Sequence, residues 1–321
     1  MRRVLTVALF AALGLFAHAQ KSGLAAVNTA LQAGEADQAL SLLSGLPASD
    51  AASADAHNLR CRVYFTLEQF DSAVKECEQA VQLDGQNSNN HMWLGRALGE
   101  KAGKASFMSA YGLAKRTREE FEQSTQLNPR NAEALADLGE FYNSAPGVVG
   151  GGMGKASGVA SQLDKVDPAR AHELRARIAE SNKDYTTAER EFHAAISASA
   201  HPAFQWMTLG SYLRRRQQWD AMEQAIQRGY AQAQKDHTAA VALYNGATVL
   251  IRAGRNNDLA AKLLDTYLAG SLKTEEAPAF VAHVARAKVA LRAGDKDTAK
   301  RECDAALALA STYKPARDLK F

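Results

Sequence analysis

From residue 20 onward, apolar and small residues recur at spacings of three, four and seven. That interval gathers them on one face of an α-helix. The phrases "QAGEADQALSLL", "LEQFDSAVKECEQAV", "NKDYTTAEREFHAAI" and "AGDKDTAKRECDAAL" each read as a turn followed by a helix. Between them lie "HMWLGRALGE", "EALADLGEFYNS" and "FQWMTLGSYLRR", which carry Leu-Gly and a further apolar residue three positions later. Strand-like stretches are few. The pattern predicts an all-α chain of helical hairpins, in which small residues such as Ala73, Gly95, Gly139 and Ala188 let paired helices approach closely. One hairpin cannot bury its own apolar face, so neighbours must stack into a superhelical array with a concave and a convex surface.

The repeating unit resembles the tetratricopeptide repeat, a 34-position pattern with bulky residues at 4, 11 and 24, Leu at 7, small residues at 8, 20 and 27, and Pro at 32. In this register the units lie near 20–53, 54–87, 88–131, 132–168, 169–202, 203–236, 239–273 and 280–313. They place Tyr64, Ala73 and Ala80 in the second unit and Leu94, Gly95 and Leu98 in the third. Leu138, Gly139 and Tyr142 follow in the fourth, Ala188, Phe192 and Ala195 in the fifth, and Trp206, Leu209 and Gly210 in the sixth. The seventh is degenerate, with Ala260 and Leu264 in its second helix, and the eighth carries Ala299, Cys303 and Ala306. The resemblance implies a right-handed α-solenoid of about seven to eight hairpins, two of them with inter-helix insertions. In the third unit ten extra residues predict lengthened helices joined near Ala102-Gly103. In the fourth, five extra residues fall at "SAPGVVGGGMGK".

That glycine-rich stretch invites a phosphate-loop reading and fails it. The pattern GxxxxGK[ST] needs Gly where Val149 stands and Ser or Thr where Ala156 stands. An elongated turn is expected instead, with Pro146 ending the preceding helix and the glycines taking positive φ. A milder reading makes Gly150, Gly151, Gly152 and Lys155 a recognition loop, its backbone N–H groups presented to an anion.

Other chemistry is sparse. His57, His91 and His172 fall at position 4 of their units, where packing is the expected role; the first two could approach one another, but no converging carboxylate completes a metal site. There is no HExxH, no GxSxG and no CxxC, so no catalytic residue, metal or cofactor is expected. Cys61 and Cys77 occupy positions 8 and 24 of one unit, both facing the interface between its helices. They read as a disulfide or as two buried thiols, and Cys303 as inert core. In the family, positions 2, 5, 9, 12 and 13 of first helices line the concave groove. Here they supply Asn58, Arg62, Asn89, Arg96, Arg177, Arg214 and Arg215. Arginine suits bidentate recognition of carboxylates, so the resemblance implies an acidic or carboxylate-bearing protein or peptide partner. The family's carboxylate clamp uses Lys and Asn, and this chain has Arg where Lys is expected.

The first residues add a location. Met1-Arg2-Arg3, an apolar run from Val4 to Phe16 and Ala17-His18-Ala19 form a secretory signal peptide with cleavage expected after Ala19. Residues 20–321 are then the solenoid. Losing Arg2 and Arg3 takes 38 basic residues to 36 against 35 acidic ones, a net charge of +1. That is no footprint for nucleic acid, and no second long apolar segment follows. The sequence therefore predicts an exported bacterial scaffold, periplasmic or secreted and non-catalytic, that holds a protein or peptide in its groove. The alternative is a transport-associated accessory protein similar to the repeat component of TRAP uptake systems.

Overall fold

The computed structural model describes residues 23–321; the signal peptide read at 1–19 lies outside them. The described residues form an α-solenoid of antiparallel hairpins. The first pairs α1 (23–33) with α2 (Ala36–Ser44), and a single turn, α3 (Ala48–Ala51), follows. Next come α4 (Ala54–Thr66) with α5 (Phe70–Leu83), α6 (Ser88–Lys104) with α7 (Phe107–Leu127), and α8 (Ala132–Ser144) with α9 (Met153–Leu163). The array continues through α10 (Pro168–Ser181) with α11 (Tyr185–Ala198), and α12 (Pro202–Arg215) with α13 (Trp219–Ala233). It ends with α14 (Val241–Ala253) and α15 (Asn257–Ala269), then α16 (Ala279–Arg292), α17 (Lys296–Leu309) and the short α18 (Lys314–Arg317).

Six hairpin turns share one device. Gly34, Glu68, Lys183, Gln217, Gly254 and Gly294 all sit at positive φ. At each of them the following amide closes a hydrogen bond back to a carbonyl five residues earlier: Glu35 to Ala30, Gln69 to Tyr64, Asp184 to Ala179, Gln218 to Leu213, Arg255 to Leu250 and Asp295 to Ala290. This is the Schellman closure of a helix end. It reverses the chain tightly, and a first-turn cap such as Asp184 to Thr187 or Asp295 to Thr298 starts the next helix.

Small residues do the packing work the pattern assigned them. A Cβ added at Gly95 would lie 2.6 Å from the Phe121 ring, and one at Gly139 would run into Leu174. Ala73, Ala188, Ala260 and Ala299 are fully buried. The extra residues of the third hairpin lengthen both helices, as expected, but the connection is Ala105–Ser106 and not Ala102-Gly103. Gly103 stays helical, while Ser106 takes the extended backbone suited to an N-cap.

The array curls until its last hairpin meets its first two. Val27, Leu31, Leu59 and Val63 share one buried cluster with Phe280, Val284, Cys303 and Tyr313. Polar contacts follow the same seam: Gln69 to Thr312, the Tyr313 hydroxyl to Glu68, and the Ser311 amide to Asp37.

Candidate functional site

The inner faces of α4, α6 and α8 enclose a groove of about 820 Å³. Phe65, Trp93, Phe121 and Phe141 give it apolar walls, and Glu68, Arg96, Glu100, Lys104 and Asp137 give it charge. Trp93, itself largely buried, lines it. The Arg96 guanidinium stacks 4.8 Å from its ring and Arg62 approaches to 5.4 Å, distances at which a cation is attracted to an aromatic face. Beside the groove lies a polar recess of about 540 Å³ lined by Asn58, Arg62, Asn89, Arg130, Asn131 and Arg170, among others. Trp93 and Glu275 line both spaces.

The arginines singled out from sequence are bound to carboxylates, and the carboxylates belong to this chain. Arg62 forks onto Glu275, Nε to Oε2 at 2.8 Å and Nη2 to Oε1 at 2.6 Å. Arg96 reaches Asp137 at 2.6 Å and Glu133 at 3.1 Å on the next hairpin. Burial works against its charge, but those two carboxylates prevail and raise its pKa. Arg177 holds Glu173 and lies 3.7 Å from Glu140, and Arg215 grips both oxygens of Glu180 at 2.7 Å. Arg214 is the exception, its Nε being buried without a hydrogen-bond partner. The stripe is thus largely an ionic seam between successive hairpins. Asn58 is likewise committed, donating to Asn90 at 3.0 Å, whereas Asn89 is exposed and accepts from Asn131 at 3.3 Å.

These observations converge on a stack of helix-turn-helix units with small residues at the helix contacts and recurring closures at the turns. A family model described as tetratricopeptide repeat matches residues 54–87, the hairpin of α4 and α5. That hairpin is a tetratricopeptide repeat. Among solved structures the chain is similar to a thermophilic TPR protein of Thermus thermophilus, at 16% identity over 56% of this chain and 91% of that one, with a TM-score of 0.48. It is also similar to the C-terminal part of a TPR repeat-containing protein from Cytophaga hutchinsonii, at 17% identity over 93% and 100%, with a TM-score of 0.43. Pseudomonas aeruginosa pilF shares 13% identity over 83% and 95%, with a TM-score of 0.37. Among curated proteins none matches significantly. The fold assignment therefore stands on the hairpins themselves.

Within the helical array the remaining sequence-predicted groups find defined places. Cys61 and Cys77 form a disulfide across their hairpin, Cα atoms 5.2 Å apart, and Cys303 is a lone buried thiol whose pKa burial raises. The histidines at position 4 turn to their own hairpins: His57 to Glu76, His91 to Glu120 and His172 to Glu191, at 2.6–2.7 Å; His283 does the same with Glu302 at 2.7 Å. Among the described residues no group of three or more His, Cys, Asp or Glu is gathered for a metal, and no helix is long and apolar enough to cross a membrane.

The glycine loop is tied to itself. Pro146 follows the end of α8, but only Gly150 takes a positive φ; Gly152 is extended, and Gly151 is required because a Cβ there would strike the Ala145 carbonyl. The amides of Gly150, Gly151 and Gly152 donate to Gly147, Pro146 and Tyr142, and Lys155 donates to the Gly150 carbonyl at 2.9 Å. The anion reading of this loop therefore finds its donors already engaged. Sequence reasoning passed over Trp93, Arg130, Arg170 and the Glu275–Glu276 turn. A signal existed for the turn: "SLKTEEAP" interrupts the repeat between the last two hairpins with two adjacent acids before a proline.

Proposed function

We propose that the protein is a non-catalytic scaffold that holds a protein or peptide in its inner groove. The observation that carries this reading is the Trp93 platform, an indole flanked by two guanidiniums in a groove built from three separate hairpins. Aromatic and arginine side chains together are the usual anchors of binding surfaces. Apolar walls suit an extended peptide; the groove's own charges are mostly acidic, so an acidic side chain or free carboxylate of that peptide would be met by the arginines of the adjoining recess. Export to an oxidising compartment, periplasmic or extracellular, fits the leader at 1–19 and the Cys61–Cys77 disulfide.

Affinity capture from a cell-envelope extract tests the reading, comparing the wild-type protein with Phe141→Ala. Phe141 is only half-buried, so the variant should fold, and a thermal melt checks that it does. The groove reading expects the captured partners to weaken or vanish; an unchanged partner set refutes it. The transport-associated alternative needs a cavity formed by assembly, so a stable trimer or larger ring in light scattering would favour it.

A further inference from the structure

The Glu275–Glu276 turn enters the groove from the linker between α15 and α16 and behaves there as a bound peptide would. Glu275 receives the Arg62 fork, and Gln32 reads it twice, through the carboxylate at 3.2 Å and the backbone amide at 3.3 Å. In the polar recess three arginines, Arg62, Arg130 and Arg170, face three carboxylates, Glu133, Asp167 and Glu275. Withdrawing Glu275 leaves one cation in excess, so the recess is charge-balanced only while an acid sits in it.

The fit is incomplete. Thr274 Oγ1 is buried without a hydrogen-bond partner. Burial, and then the neighbouring charge of Glu133, hold the Glu276 carboxyl above its ordinary range. An imperfectly satisfied insert is one that a better-matched ligand can replace.

We propose that this turn is a self-ligand: it occupies a seat for an acidic side chain of an extended segment, and a partner's acidic segment binds by displacing it. The inference rests on the groove reading above and names its ligand class. Displacement merges the groove and the recess, which meet at Trp93 and Glu275. It also frees the linker that leads into α16, part of the seam between the last hairpin and the first two, so occupancy of the seat is coupled to closure of the array.

The test uses the full chain and a synthetic peptide covering residues 272–279, with a peptide carrying Gln at both acidic positions as control. Binding is followed by calorimetry against wild type, Glu275→Gln and the double variant Glu275→Gln/Glu276→Gln. The expected result is at least ten-fold tighter binding of the acidic peptide to the emptied seat, none to the Gln peptide, and loss of binding when Arg62→Gln is added. Glu275→Gln alone, the milder change, should show the same direction if the double variant folds poorly. On the wild type, excess acidic peptide should accelerate hydrogen exchange at amides 274–277. Equal affinity for wild type and Glu275→Gln, or indifference to Arg62→Gln, overturns the self-ligand. If partner capture still depends on Phe141 in that event, the groove reading stands alone; if it does not, both fall.

Discussion

A histidine at one repeat position shows how much a single residue type can conceal. His57, His91 and His172 suggested packing, and the structure adds a glutamate partner on the second helix of each hairpin, with His283 and Glu302 repeating the pair. The hydrogen bond that His91 donates to Glu120 raises the His91 pKa above 6.5, against the opposing effect of burial. The folded protein therefore holds that proton more tightly than the unfolded chain, and the stabilisation is complete below the unfolded pKa and lost as pH rises through the folded value. Urea melts at pH 6 and pH 8 should show wild type losing more stability with rising pH than His91→Gln; parallel losses would contradict the pairing. The cysteines give a second residue-scale expectation. Denatured without reductant, the protein should titrate one thiol, Cys303, and reduction should lower stability by about 3 kcal/mol for a loop of this length. The arginines were legible as carboxylate binders, but not their partners. Glu275 lies 213 residues from Arg62, and nothing local in a sequence encodes a contact of that range.

Helices and turns were the most readable scale, because repetition writes the same constraint many times. The small residues at helix contacts are a steric demand of close approach, so Gly95 and Gly139 could be read directly. Gly95→Ala should cost about 1–3 kcal/mol, since its methyl group would overlap Phe121; a thermal or urea melt checks this. Three of the six hairpin closures carry no local mark of positive φ, because Glu68, Lys183 and Gln217 stand where Gly34, Gly254 and Gly294 stand in the others. Gln217→Gly should therefore stabilise the protein by about 0.5–1 kcal/mol in the same melts, the left-handed penalty outweighing glycine's entropy in the unfolded chain. The join of α6 and α7 falls beyond the expected Ala102-Gly103 because a glycine is tolerated inside a long helix, and the chain leaves the helix only where Ala105 and Ser106 take extended backbone.

At the scale of the molecule, stacking could be deduced and closure could not. Curvature accumulates from small rotations at every interface, and whether the ends meet depends on their sum. The Arg62–Glu275 fork is where the two ends are joined through a shared ionic contact, largely shielded from solvent on both sides. A double-mutant cycle with Arg62→Ala and Glu275→Ala should give a coupling of about 1–3 kcal/mol in urea melts; additive effects would mean that the fork contributes nothing to closure. The extended third hairpin offers a rival surface, since Phe107 is 90% and Met108 85% exposed at its tip, with Tyr111 beside them. The most direct measurement is therefore a hydrogen-exchange footprint of the protein with a partner captured from envelope extract. Binding in the groove predicts slowed exchange along the inner faces of α4, α6 and α8 with residues 105–115 unchanged. Protection confined to residues 105–115 would contradict it.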